Sequence, residues 1–144
     1  MNSTQKKVTK KAGVKLLVIA QSNTPGFPPL PQVEKELQHI HEHAPDAKIL
    51  HGQEATIIEV MNAMRNHSWV HFACHGIQNT ADLMDSGLRL NDGLLQLSDI
   101  IKEPLPNAEF AFLSACQTAA GDESHPEEAI HLAAGMLLAG YHGV

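Results

Sequence analysis

The chain has 144 residues, 43% hydrophobic and 18% charged, enough apolar material for one globular domain with its own core. A formal charge of -6 leaves no basic face to follow phosphates, which argues against nucleic acid as the main partner. No apolar run is long enough to span a bilayer and no signal-peptide pattern is present, so the expectation is no membrane partner and a cytoplasmic location with reduced thiols.

Residues 1–12 are polar, lysine-rich and without periodicity, and read as a disordered tail ahead of a domain over 13–144. Lys15-Leu-Leu-Val-Ile-Ala20 is a continuous apolar run, as expected of a strand buried on both faces of a parallel sheet. The Pro- and Gly-rich segment from Gln21 to Leu30 is a loop. A helix over roughly 31–43 follows, with Val33, Leu37 and Ile40 on one face, and Pro45 ends it. Ala47–His51 reads as a second strand, broken by Gly52, and Ala55–Asn66 as a helix whose stripe is Ile57, Ile58, Met61 and Met64.

Trp69-Val-His-Phe-Ala-Cys-His-Gly76 is a further short strand. Alternation puts Trp69, His71, Ala73 and His75 on one face and Val70, Phe72 and Cys74 on the other. Two apolar pieces around Asn91-Asp92-Gly93 predict a hairpin, and a helical turn from Ser98 is stopped by Pro104. Phe110–Cys116 is a last buried strand. Ser124 and Glu127 have capping-box spacing, so a helix is expected over about 125–140 with Ile130, Ala133, Ala134, Leu137 and Leu138 as its stripe. Gly140 and Gly143 then release the chain. Strand and helix alternate, so the fold class is α/β with a mostly parallel sheet covered on both faces.

His75 and Cys116 each close an expected strand, and ligands of open parallel sheets bind beyond the carboxyl ends of the strands. An imidazole and a thiol on one rim are the parts of a cysteine hydrolase. Cys116 would attack as thiolate, and His75 would protonate the leaving amine and activate the deacylating water. Gly76 has no side chain to keep its N–H from a developing oxyanion, and the N–H of Cys116 is a second candidate donor. Gln117, beside the thiol, and Asp122, a few residues on, are taken as substrate-binding positions. Asp122 is equally suited to capping the next helix.

His-Phe-Ala-Cys-His-Gly over 71–76, then Leu-Ser-Ala-Cys-Gln-Thr-Ala-Ala-Gly-Asp over 113–122, with Leu-Gln-Leu-Ser-Asp-Ile between them, resembles the CHAT domain. That family is a caspase-like and separase-like branch of the clan CD cysteine peptidases, and the likeness covers roughly 14–144. His75 lies 41 residues before Cys116, the chain order of caspases. The resemblance implies a caspase-like α/β/α sandwich, a dyad on His75 and Cys116, and hydrolysis of peptide bonds in a protein or peptide substrate. It also implies regulated proteolysis or defence and cell-death signalling, with tetratricopeptide-type helical repeats as fused region or partner. Family domains continue beyond the Gly-Val that ends this chain, so the sheet is expected to be incomplete on its C-terminal side. The exposed edge would then favour self-association.

Other readings stand beside these. Cys116 can be a buried structural thiol, and Cys74, alternating to the opposite face, is assigned to core packing. His39, His41 and His43 point to different faces of one helix, and no ligand set of metal-site spacing accompanies His71 and His75. No metal and no cofactor is therefore expected. The alternative from another class is an inactive caspase-like interaction or signalling module.

Overall fold

The chain runs through β1 (Leu16–Ala20), α1 (Gln32–His43), β2 (Lys48–His51), α2 (Ile57–Arg65), β3 (Trp69–Ala73), β4 (Gly76–Ile77), β5 (Gly87–Arg89), β6 (Leu94–Gln96), α3 (Leu97–Lys102), β7 (Phe110–Leu113) and α4 (Glu127–Leu138). The computed structural model describes residues 15–77, 83–114 and 127–144. The expected tail over 1–12 and Ser124 of the expected capping box lie outside them.

β1 is Leu-Leu-Val-Ile-Ala, with apolar side chains at odd and even positions alike, so both of its faces need cover. It is a central strand. The sheet has the order β2-β1-β3-β7 and every pairing is parallel, with Val18 beside both Ile49 and His71, and His71 beside Phe112. Alternation then sorts the core into two clusters. Leu17, Ile19, Val70, Phe72, Cys74 and Ala111 pack with α2, α3 and α4, while Ala20 and Ala73 pack with Leu30 and Val33 at α1. Helices thus lie on both sides of a parallel sheet, the α/β sandwich expected, and Cys74 is in the larger core.

Two helix faces differ from expectation. Ile58 is 70% exposed, and α2 instead buries Val60, Met61, Ala63 and Met64. Ile57, Val60, Met61 and Met64 have the i, i+3, i+4, i+7 spacing of one stripe, which Ile58 breaks. Among the described side chains of α4, Leu132 and Met136 are buried, as is Ala139 just past its end, whereas Leu137 and Leu138 are exposed. Gly135 explains the choice: a Cβ there would collide with Leu97, its Cδ2 lying 2.9 Å away, so the glycine is where α3 presses closest. The segment is apolar nearly all round, and its periodicity does not select a side.

The expected hairpin forms as β5 and β6, antiparallel, with Leu90 N–H donating to Gly93 C=O at 2.7 Å across the turn. Its Asp92 carboxylate accepts from Ile57 N–H at 3.0 Å, and Thr56 Oγ1 accepts from Glu59 N–H at 3.2 Å, so hairpin and N-cap together satisfy the start of α2. Beyond α4 the chain does more than leave the domain. Gly140, at φ +119°, turns it back, and Ala111 N–H donates to Gly143 C=O at 3.0 Å on the edge of β7.

Candidate functional site

From β1 the chain steps to β2 on one side and then crosses to β3 on the other. The strand order therefore reverses between β1 and β3, and the crevice beyond their carboxyl ends is where such sheets bind ligands. Three segments meet there: the loop after β1, Cys74-His75-Gly76 after β3, and Ser114 after β7.

The loop after β1 is tied down at both ends. Gln21 N–H donates to Ala73 C=O at 2.9 Å and Gln21 Nε2 to Gly52 C=O at 2.8 Å, while Leu30 N–H donates to Ser22 C=O at 2.8 Å. Within it Phe27 N–H donates to Thr24 C=O at 3.0 Å across Pro25-Gly26, and Gly26 takes φ +85°, a conformation that the third position of a type II turn requires. The turn delivers Phe27 and Pro28 onto His75. The two rings lie 5.0 Å apart, and His75 Nε2 is 2.8 Å from the Pro28 carbonyl oxygen.

A carbonyl only accepts, so Nε2 carries the hydrogen, and in the neutral ring Nδ1 holds the lone pair. Nδ1 is buried and has no hydrogen-bond partner among the described residues, and His75 as a whole is 1% exposed. A buried polar atom left unpaired costs about 1–3 kcal/mol, and such atoms in folded proteins call for a reason. Here the ring is held by one nitrogen and presents the other.

Gly76 begins β4 opposite Leu88 of β5. Arg89 N–H donates to His75 C=O at 2.9 Å, which makes Gly76 and Leu88 the non-hydrogen-bonded pair of this short ladder. The Gly76 N–H is therefore not spent on β5. Arg89 itself reaches over the Phe27 ring, its guanidinium carbon 5.8 Å from the ring centre.

Of the residues singled out in the sequence, His75 and Gly76 are thus adjacent at the switch point. Cys116, Gln117 and Asp122 lie outside the described residues. Ser114, two positions before Cys116, is held on β3: its N–H donates to Phe72 C=O at 3.0 Å, and its hydroxyl is 3.1 Å from a Glu36 carboxylate oxygen. His71 packs against Phe112 and sits 3.9 Å from Glu36; burial lowers its pKa below the ordinary histidine value, opposed by the Glu36 carboxylate. His43 Nδ1 donates to His39 C=O at 2.9 Å and His51 meets Glu34 at 3.0 Å, local contacts at the surface. Among the described residues no group of three His, Cys, Asp or Glu side chains is placed to hold a metal ion.

Phe27, Pro28 and Arg89 were not singled out in the sequence. The Pro- and Gly-rich character of the loop was visible, but its contact with His75 depends on strand order. A groove of about 370 Å³ beside α1 and another of about 460 Å³ between α2 and α3 are not lined by His75.

The family model of the CHAT domain matches residues 1–144, the whole chain. No curated protein matches it. With a parallel α/β sheet, a histidine set at its switch point and a model match over every residue, the chain belongs to the CHAT domain family, a caspase-like and cysteine-peptidase-related group.

Proposed function

We propose that the chain is a cysteine-type endopeptidase domain in which His75 and Cys116 hydrolyse a peptide bond. One observation carries the reading: His75 donates from Nε2 to the Pro28 carbonyl and keeps a buried Nδ1 with no partner among the described residues. Cys116 follows the anchored Ser114 by two residues, so the covalent chain holds its Cα within about 7–8 Å of the Cα of Ser114.

In the proposed reaction the Cys116 thiol gives its proton to the His75 Nδ1 lone pair, the resulting thiolate attacks the scissile carbonyl carbon, and the electron pair moves to the carbonyl oxygen beside the Gly76 and Cys116 N–H groups. His75 gives a proton from Nδ1 to the leaving amine, and the C–N bond breaks to leave a thioester. Nδ1 then takes a proton from water, the hydroxyl adds to the thioester carbon, and the acid departs as the thiolate returns. Gln117 and Asp122 are assigned to substrate binding, and the substrate is a protein or peptide in regulated proteolysis or cell-death signalling. Helical-repeat partners and a cytoplasmic site belong to the same proposal; among the described residues no helix is long and apolar enough to cross a membrane.

The burial of His75 beneath Phe27 favours a second reading, an inactive module that keeps the fold for binding. A thiol-reactive peptide electrophile separates the two. We expect one equivalent of label on the wild-type chain, none on Cys116→Ala, and full labelling of Cys74→Ala, because Cys74 is in the core. An unlabelled wild-type chain, or label that persists in Cys116→Ala, would overturn the peptidase reading.

A further inference from the structure

The side of the sheet that faces α1 carries a small polar cluster. His71 of β3 lies there between Val18 of β1 and Phe112 of β7, both apolar. Its ring packs on Phe112 with 5.7 Å between centres, and its Nε2 is buried with no hydrogen-bond partner among the described residues. Glu36 Oε1 of α1 is 3.9 Å from that nitrogen, too far for a hydrogen bond. The same oxygen is 3.1 Å from the Ser114 hydroxyl at the end of β7. The hydroxyl has a second acceptor within reach, Phe72 C=O at 3.2 Å, and a serine has one hydrogen to give. Glu36 and His71 both line the groove beside α1, whose other titratable groups are Lys35 and His39.

We propose that Glu36 is a positioning residue for the segment that carries Cys116, and that His71 is an acid-sensitive switch that withdraws it. The inference rests on the peptidase reading for its effect on catalysis, whereas the switch itself does not. With His71 neutral, Glu36 holds Ser114, two residues before Cys116, and so ties the end of β7 to α1. When the ring takes a proton, Nε2–H faces a carboxylate, and a charge-assisted bond of about 2.7–2.9 Å draws Oε1 roughly 1 Å across the gap. Ser114 then turns its hydrogen to Phe72 C=O, so its donor is satisfied in both states, as a two-state element requires. Burial lowers the His71 pKa and the Glu36 carboxylate opposes the shift, so the ring is neutral at pH 7 and the change falls below the ordinary histidine value of about 6.5. The Lys35 charge works against the proton, as does any charge on His39, so Glu36 is the group lining the groove that favours the charged ring.

The test uses the 144-residue chain and two readouts. In the first, NMR follows the His71 ring and the Ser114 amide against pH. The His71 midpoint is expected below about 6.5, with the Ser114 amide shifting at the same pH. Glu36→Gln leaves Ser114 an acceptor but removes the charge, and lowers the His71 midpoint by about half a unit or more; His39→Gln does not lower it. A midpoint unchanged in Glu36→Gln, or a Ser114 amide that does not follow His71, overturns the switch. This readout needs no catalysis, so it decides the switch even where no peptide is cleaved and the peptidase reading has failed. In the second, wild-type kcat/KM for a cleaved peptide falls about 10-fold further between about pH 7.5 and pH 5 than that of His71→Phe, which cannot draw Glu36 from Ser114. Glu36→Gln, which keeps the side-chain shape, loses the same acid limb, so the comparison survives a poorly folded His71→Phe. Alkylation of Cys116 by a small electrophile, which needs a thiolate but no alignment, has the same pH profile in wild type and variants. An acid limb of kcat/KM that persists in both variants overturns the positioning role while peptide cleavage itself stands.

Discussion

His75→Ala is expected to lower kcat/KM for peptide hydrolysis by about 10³-fold or more, because a positioned proton donor and acceptor and its thiol act as a unit. The loss should be specific to the chemistry. His75 is packed on one side by Phe27 and held by one hydrogen bond to Pro28, and removing the ring also removes its unpaired Nδ1. Lost packing and a relieved buried polar atom partly offset one another, so the melting temperature should move little. A mutant that keeps a tenth of the wild-type activity, or one that loses activity only because it unfolds, would contradict the assigned role.

Gly87→Ala is expected to cost about 3 kcal/mol or more, a large share of the roughly 5–15 kcal/mol that stabilises a typical domain. A Cβ on Gly87 would run into the Leu95 carbonyl oxygen, with Leu95 C 2.8 Å and Gln96 Cα 2.9 Å away. These are backbone atoms of the paired strand, so no side chain can rotate aside and β5 must part from β6. The damage spreads to the site, since Arg89 two residues on bonds the His75 carbonyl. Thermal or denaturant unfolding would show it as a shift of about 10 °C downward, by the usual relation between free energy and midpoint for this size. Gly52→Ala is the useful contrast: it meets no neighbour within 4 Å and carries only the strain of φ +63°. Equal stability of Gly87→Ala and wild type would show that the hairpin is not packed as described.

The strands were legible because their causes are local. Leu16–Ala20 is apolar at every position and has to be central; Trp69–Ala73 alternates, and its two faces meet α1 and the larger core. His75 and Gly76 could be picked out for the same reason, as the residues at which an apolar run stops. The faces of α2 and α4 were less legible, since Ile57-Ile58 and Ala133–Leu138 offer apolar side chains in several directions. Packing decided between them, at Val60 and at Gly135 against Leu97. Phe27, Pro28 and Arg89 could not be read at all from their neighbours in sequence. Phe27 and Pro28 come to His75 from the loop after β1 because β1 and β3 are adjacent in the sheet, and Arg89 comes from β5 through its pairing with β4.

The most direct test of the central claim, a coupled His75 and Cys116, is the rate of Cys116 alkylation by a small neutral electrophile against pH, in the wild type and in His75→Ala. A thiolate held by the imidazole should keep reacting well below pH 7, whereas an ordinary thiol, with a pKa of about 8.5, loses its rate about tenfold per pH unit there. The account predicts a flat profile through pH 6 in the wild type and the steep profile of an ordinary thiol in His75→Ala. The steep profile in both proteins would contradict it.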